Sequence, residues 1–417
     1  MSTPGMTTAY YYVRPTDSLF VRGNLAFGDS GEHGTGLMPP PPSLFAGAFR
    51  SALLGQSAEQ LAAFVNHGRC TNPALAQCLG TPTAPGEFRI TWLSLAAEPQ
   101  PSGTGAALAP EAISPLPTDL LMLGKTFARL EPRAIALGVQ SAGDLPLRAT
   151  LVSSKQEKPM SGMYLRDKGM ALHLQGTVPE KSHSVDGKHV FQRDPRLGIG
   201  LNADSRTAEE GLIYTTEGFA FSPRYANDTG KGTAPFASTG FLVGIQGAAD
   251  LLPDQGVLRL GGDGRSAHYR KVAYIAEPTA APAPLATHAP TTVASKKQFR
   301  LLLQTPALFS QGWLPEGVTQ QDSGRYQLQG NGFSARLACA ALGRREVVSG
   351  WDLHAWAPKP AQAAVPAGSV YWFDEFAGDP GKLAAWVQAG MWPDNLDTLQ
   401  QTRRAEGYNR ALLGCWN

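Results

Sequence analysis

Residues Leu258 to Lys271 read LRLGGDGRSAHYRK. The run Gly256-Val257-Leu258-Arg259-Leu260 has the composition of a strand. It leads straight into Gly261, Gly262 and Gly264, and then into Arg265, His268, Arg270 and Lys271. Glycine has no Cβ, so such a turn reaches φ > 0 and lets a ligand approach the backbone closely. Successive N–H groups there can form an anion-binding nest, and Arg265 adds a planar fork matched to phosphate. The stretch is therefore a candidate phosphate-contacting loop. The competing reading is a tight β-turn with solvated charges. It is not a P-loop, because Gly264 is followed by Arg265 and Ser266 rather than Lys-Ser/Thr. A dinucleotide fold would need a third glycine two residues on and a helix behind it. Asp263 opposes a free phosphate, which leaves a polynucleotide backbone held from one side as the better ligand.

The chain around it has 417 residues, enough for two domains with their own cores. Charged residues are scarce at 17%, while 46 Gly and 33 Pro predict many turns and few long helices. A net charge of +2 is too small to signal nucleic-acid binding by itself, so any basic surface must be local. Cys70, Cys78, Cys339 and Cys415 show no metal-ligand spacing and read as reduced thiols. There is no secretion signal, no apolar run of ~18 residues and no cofactor fingerprint. The expectation is a soluble cytoplasmic protein with no metal, cofactor or membrane contact.

In chain order, Ala9 to Pro15 reads as a first strand, continued by Leu19 to Arg22, after a disordered start at residues 1 to 8. Asn24 to Gly36 is a glycine-rich loop carrying His33. Ser43 is a candidate N-cap after four prolines, and Leu44, Phe45, Ala48, Phe49, Ala52 and Leu53 repeat at helical spacing up to Gly55. Phe88 to Leu95 alternates as a strand, and Gly103 to Ile113 reads as a loop. This β–loop–α–β beginning suits an α+β sandwich.

Residues 148 to 206 hold ten Lys/Arg against six Asp/Glu. They read either as a basic arm leaving the first domain or as solvated loop charge. His173, His183 and His189 within them lack metal spacing. Excising Gln156 to Lys188 is expected to leave both domains folded. Leu197 to Leu201 and Gly211 to Phe221 form a β-ribbon, and Phe241 to Gln246 is a further strand. Glu277 to Ser295, rich in Pro, Ala and Thr, reads as an extended linker. Beyond it, Phe299 to Leu303, Leu337 to Leu342, Val347 to Leu353, Ser369 to Phe373 and Ala411 to Trp416 read as strands, and Lys382 to Ala389 as a helix. Arg344, Arg345, Trp351 and Lys359 lie close together. Trp351 could stack on a base while the cations hold phosphates, or it could be core packing.

Several segments resemble the third subunit of the Cmr complex, the RAMP-superfamily protein of type III-B CRISPR effectors. They are Pro42 to Leu53 with Gly47 and Arg50, Asp194 to Tyr214, Leu260 to Arg265, Ser349 to Leu353, Pro358 to Lys359, Gly368 to Tyr371 and Glu406 to Trp416. The resemblance implies an α+β fold of two ferredoxin-like (RRM-like) RAMP domains, with a long basic insertion and β-ribbon in the first. The boundaries are 1–276 (insertion about 125–225), the linker 277–295, and 296–417. It implies a non-catalytic subunit that caps the 5′ tag of the CRISPR RNA and bridges the large Palm-domain subunit to the backbone RAMP subunits. Target RNA stands as a further, open partner. The RNA-contacting set is then Gly261, Gly262, Gly264, Arg265, His268, Arg270 and Lys271, with Arg50, His33, Arg344, Arg345, Trp351 and Lys359.

A second reading is a metal-independent CRISPR-RNA processing endoribonuclease, which the same superfamily contains. It needs a general base near a 2′-hydroxyl and a cation for the developing charge. His33, or His268 beside Arg270 and Lys271, could serve.

Overall fold

This computed structural model describes residues 7–21, 33–34, 36–101, 109–135, 143–153, 157–202, 204–221, 235–248, 250–262, 264–274, 292–352 and 354–416. Strand exceeds helix, 43% against 20%, so antiparallel sheets carry the fold. Strand β1 is Ala9–Pro15, the span expected. Side chains alternate across a strand, and here both faces are covered. Ala9, Tyr11 and Val13 enter one core, and Tyr12 enters another. A run of consecutive apolar and aromatic residues is thus explained as a central strand.

Helix α1 spans Pro42–Leu54 and lies on the Tyr11 face. Phe49 packs on Tyr11 and Tyr269 (both ring centroids 5.5 Å away), and Phe45 packs on Phe241 at 4.9 Å. Burying each phenylalanine contributes about 1.5–3 kcal/mol. The helix starts at Pro42, where the missing N–H costs nothing. Ser43 is therefore not its cap, and its hydroxyl instead meets Tyr408 Oη at 3.0 Å. Two further helices follow, α2 (Ala58–His67) and α3 (Pro73–Leu79).

The first sheet adds β2 (Arg89–Pro99), β3 (Glu111–Pro115), β4 (Met163–Arg166) and β5 (Ser184–Asp186). The ribbon is β6 (Gln192–Leu201) with β7 (Ala208–Ala220). Then come β8 (Phe236–Gln246), β9 (Gln255–Arg259) and β10 (Ser266–Val272). The eight-stranded order is β9-β10-β1-β8-β2-β3-β4-β5. Of the stretch expected to be a loop at 103–113, residues 103–108 lie outside the described ones, and Glu111 already starts β3.

The basic stretch is not a detached arm. Its strands β4 and β5 form the edge of the first sheet. Its helix α4 (Asp167–Leu174) buries His173, and Leu174 O accepts from Cys415 N–H at 2.7 Å. The tolerated deletion is therefore corrected. Removing Gln156 to Lys188 takes away two sheet strands and a helix. The expected result is a chain that fails to give a cooperative melting transition, and a melting curve like wild type would contradict this placement.

The second sheet is built from β11 (Phe299–Leu303), β12 (Val318–Gln320), β13 (Tyr326–Gly330), β14 (Phe333–Ala341), β15 (Val370–Gly378) and β16 (Ala411–Gly414). Its order is β12-β13-β14-β15-β11-β16. The expected strand Val347–Leu353 is broken: Glu346–Val348 and Trp351–Asp352 belong to separate two-stranded pairs, with Gly350 between them at φ 143. Helices α5 (Pro380–Gln388) and α6 (Thr398–Glu406) complete this half. Most of the linker lies outside the described residues. Residues 292–296, at its end and just past it, are helical rather than extended, because Val293 is drawn into the second core.

The two sheets meet face to face. Tyr12, Trp92 and Leu242 of the first share a core with Leu302, Trp372 and Leu412 of the second. Across this junction Arg300 reaches from β11 to Asp119 and to the backbone carbonyls of His173 and Cys415.

Candidate functional site

β9 and β10 form a hairpin in register from Gln255↔Arg270 to Arg259↔Ser266. The glycine stretch closes it. Leu260 N–H donates to Arg265 O (2.9 Å), Arg265 N–H to Gly262 O (3.3 Å) and Gly262 N–H to Phe20 O (2.8 Å). Two of the N–H groups a nest would present are thus spent inside the protein, in closing a tight turn. Gly261 and Gly264 adopt φ 82 and φ 63, whereas Gly262 lies outside the left-handed region. A Cβ on Gly261 would sit 2.5 Å from Phe20 O, but one on Gly262 would meet nothing closer than 3.7 Å. Gly261 and Gly264 both hold a φ that favours glycine, and Gly261 is in addition crowded where the hairpin rests on Leu19 and Phe20.

Arg265 is also less available than its position suggests. Its Nη1 donates to the Asp17 carboxylate, and its guanidinium lies 5.3 Å from the Phe20 ring centroid. Arg196 of the ribbon lies against the same ring at 5.4 Å and donates to Asp194 (2.7 Å). The Ser18 hydroxyl, then Arg196, hold the Asp194 carboxyl below its ordinary range. This cluster ties the hairpin, residues 17–20 and the ribbon together.

Strand alternation divides the remaining cations. Lys271 pairs in register with Tyr11, so it belongs to the α1 face, where its Nζ lies 3.5 Å from Asp254. Arg270 and His268 pair with Tyr12 and Arg14 and lie on the opposite face. They do not form one contact group with Lys271. With Tyr12, Arg14, Glu98 and Val257 they line an open cavity of about 530 Å³. Arg270 is oriented over the Tyr12 ring (5.5 Å) by the Glu98 carboxylate. Ser238 also donates to Glu98 and meets Tyr12 Oη at 2.8 Å. Arg14 is exposed and makes no ion pair among the described residues. Sequence reading missed it, although its place two residues after Tyr12 in an alternating strand was a usable signal.

Arg50, Trp351 and Lys359 come together elsewhere, around a cleft of about 470 Å³ between α1, α6 and the small hairpin at 351–358. Trp351 is 53% exposed, so it is not core packing. Lys359 Nζ donates to the buried Glu406 carboxylate (2.6 Å). Arg344 and Arg345 are exposed and line neither cavity. His33 lies in a two-residue strand paired in parallel with Thr215 of the ribbon. The two candidate bases, His33 and His268, therefore belong to different sheets. No group of three metal-ligating side chains occurs among the described residues, nor does a helix long and apolar enough to cross a membrane.

Residues 11–416 match the family model of a CRISPR-associated protein. That family is Cas_Cmr3; the chain belongs to it and is a Cmr3-like protein. No curated protein matches it. Among solved structures it is similar to a chain of the type III-B Cmr-beta complex bound to cognate target RNA and AMPPnP, and to one of the complex bound to cognate target RNA. Each is 14% identical with a TM-score of 0.41, covering 87% of this chain and 86% of that one. A chain of the apo Cmr-beta complex is 12% identical with a TM-score of 0.26, covering 64% and 97%.

Proposed function

We propose that this subunit of a type III-B CRISPR effector binds the CRISPR RNA at its 5′ tag without cleaving it. In this reading it joins the large Palm-domain subunit to the backbone subunits, with target RNA a further contact. The observation that carries the reading is the uncovered end of the first sheet. Near Tyr12 that face is sealed by the second sheet. Towards the hairpin it opens and presents Arg14, which has no ion pair among the described residues, beside His268 and Arg270. A sheet face with cations at its edge suits a single strand, whose phosphates are held while its bases lie against the sheet. The strand orders support a ferredoxin-like assignment for both halves, 1–276 and 296–417. β10-β1-β8-β2 and β16-β11-β15-β14 each read 4-1-3-2 when four core strands are numbered along the chain.

The test is the RNA affinity of the reconstituted complex across a salt series. Arg14→Ala is expected to lose about 1–3 kcal/mol and to flatten the dependence of log K on log salt by nearly one counterion. Arg265→Ala should change the slope less, because its charge is committed to Asp17. The reverse ranking would move the interface from the sheet face to the hairpin turn.

A further inference from the structure

Among the described residues around the second cleft, Arg50 is the side chain whose buried hydrogen-bond donors are left without partners. It projects from α1 beside Phe88, whose ring centroid is 5.2 Å from its Cζ. Its Nε and Nη2 are shut off from water and have no hydrogen-bond partner. Those two atoms form the side-on fork of a guanidinium, the edge that takes a carboxylate in two parallel hydrogen bonds. A buried donor pair left empty is costly. The other cations here are used: Lys359 and Arg403 both donate to Glu406, and Arg403 also donates to Gln362 and to Ser349 O. The walls are largely apolar, with Leu54, Phe64, Pro82, Pro358 and the ring of Trp351.

We propose that this cleft is a docking site for a partner polypeptide, which places one Asp or Glu carboxylate on the Arg50 fork and apolar neighbours against Phe64, Pro358 and Trp351. RNA fits worse. A strand brings a charge with every nucleotide and needs several free cations, whereas among the described residues lining this cleft only Arg50 has a fork without hydrogen-bond partners, and the carboxylates of Asp352 and Glu406 stand close by. A peptide brings a single charge and apolar surface, as the walls require. His354 Nδ1 meets Val65 O at 2.9 Å and holds the 351–358 hairpin against α2. The hairpin is only two residue pairs long and forms one wall of the cleft that Arg50 lines.

The test uses the full chain and Arg50→Met, which keeps the length of the side chain and removes the fork. The probes are overlapping acidic peptides from the other subunits of the effector, each with its Glu→Gln or Asp→Asn counterpart, and a single-stranded RNA of the tag sequence. The choice of peptides rests on the reading of this chain as a complex subunit; the stability measurement does not. Arg50→Met should melt higher than wild type, since two buried N–H groups without hydrogen-bond partners are gone. It should bind the best acidic peptide on the order of thirtyfold more weakly, and the amide counterpart should lose as much on wild type. Arg14→Ala should leave peptide binding unchanged. If peptides bind as stated while Arg14→Ala leaves RNA affinity intact, only the RNA reading fails. The docking proposal is overturned if Arg50→Met melts lower, if no acidic peptide binds wild type, or if Arg50→Met loses RNA rather than peptide.

Discussion

Arg300→Ala is expected to destabilise the chain by about 3–5 kcal/mol, the usual cost of stripping one partner from a buried ion pair. Arg300 is 3% exposed and Asp119 is fully buried. The guanidinium donates to the Asp119 carboxylate (2.5 Å), to His173 O (2.6 Å) and to Cys415 O (2.8 Å). Removing it leaves the buried Asp119 carboxylate with His173 Nε2 alone (3.0 Å) and takes one donor each from the carbonyls of His173 and Cys415, at the junction of the two sheets. Asp119→Leu combined with Arg300→Met should cost much less than Arg300→Ala, because it removes both charges and keeps the volume. Urea denaturation measures both, and a loss under about 1 kcal/mol for Arg300→Ala would show that the junction does not depend on this network.

The same cluster sets a pH dependence. Burial pushes the His173 pKa down, against the pull of Asp119. Asp119 itself is held below the ordinary carboxylate range by His173 and Arg300, in spite of its burial. Both folded-state values are depressed, so the unfolded chain takes up protons first and stability falls as the pH falls. The decline begins near the ordinary histidine value, about 6.5, as unfolded His173 protonates, and continues through the carboxylate range. His173→Gln should remove the upper part of that decline and leave the lower part.

The second large effect separates two neighbouring glycines. Gly261→Val should cost on the order of 3 kcal/mol or more. A β-branched residue resists φ 82, and the new Cβ would meet a backbone carbonyl at 2.5 Å, an atom that cannot rotate away. Gly262→Val should stay within about 1 kcal/mol, since its φ is ordinary and space is open around it. Thermal melting of the two variants decides, and equal losses would remove the special role of Gly261. Because the hairpin carries His268 and Arg270, Gly261→Val should also weaken RNA binding, whereas Gly262→Val should not.

Sequence alone determined the elements whose signal is local. The run Tyr10 to Val13, the helical spacing of Phe45, Phe49 and Leu53 and the strand Phe299 to Leu303 are present as read, and the ribbon is present with longer strands, from Gln192 and from Ala208. Each depends on periodicity and on a nearby breaker, which the chain carries in adjacent residues. The glycine and arginine at the hairpin were also found by composition. Their roles were not, because the atoms that decide them are remote in sequence: Phe20 O takes the Gly262 N–H, Asp17 takes Arg265, and Glu406 takes Lys359. Alternation along a strand already sets the neighbours Arg270 and Lys271 on opposite faces; only the tertiary structure could show that both faces near Tyr12 are covered and that Arg14 is exposed. Charge pairing and burial are properties of what the fold brings near a residue. A sequence lists the charged groups, and the packing of the two sheets decides which of them remain free to meet a partner.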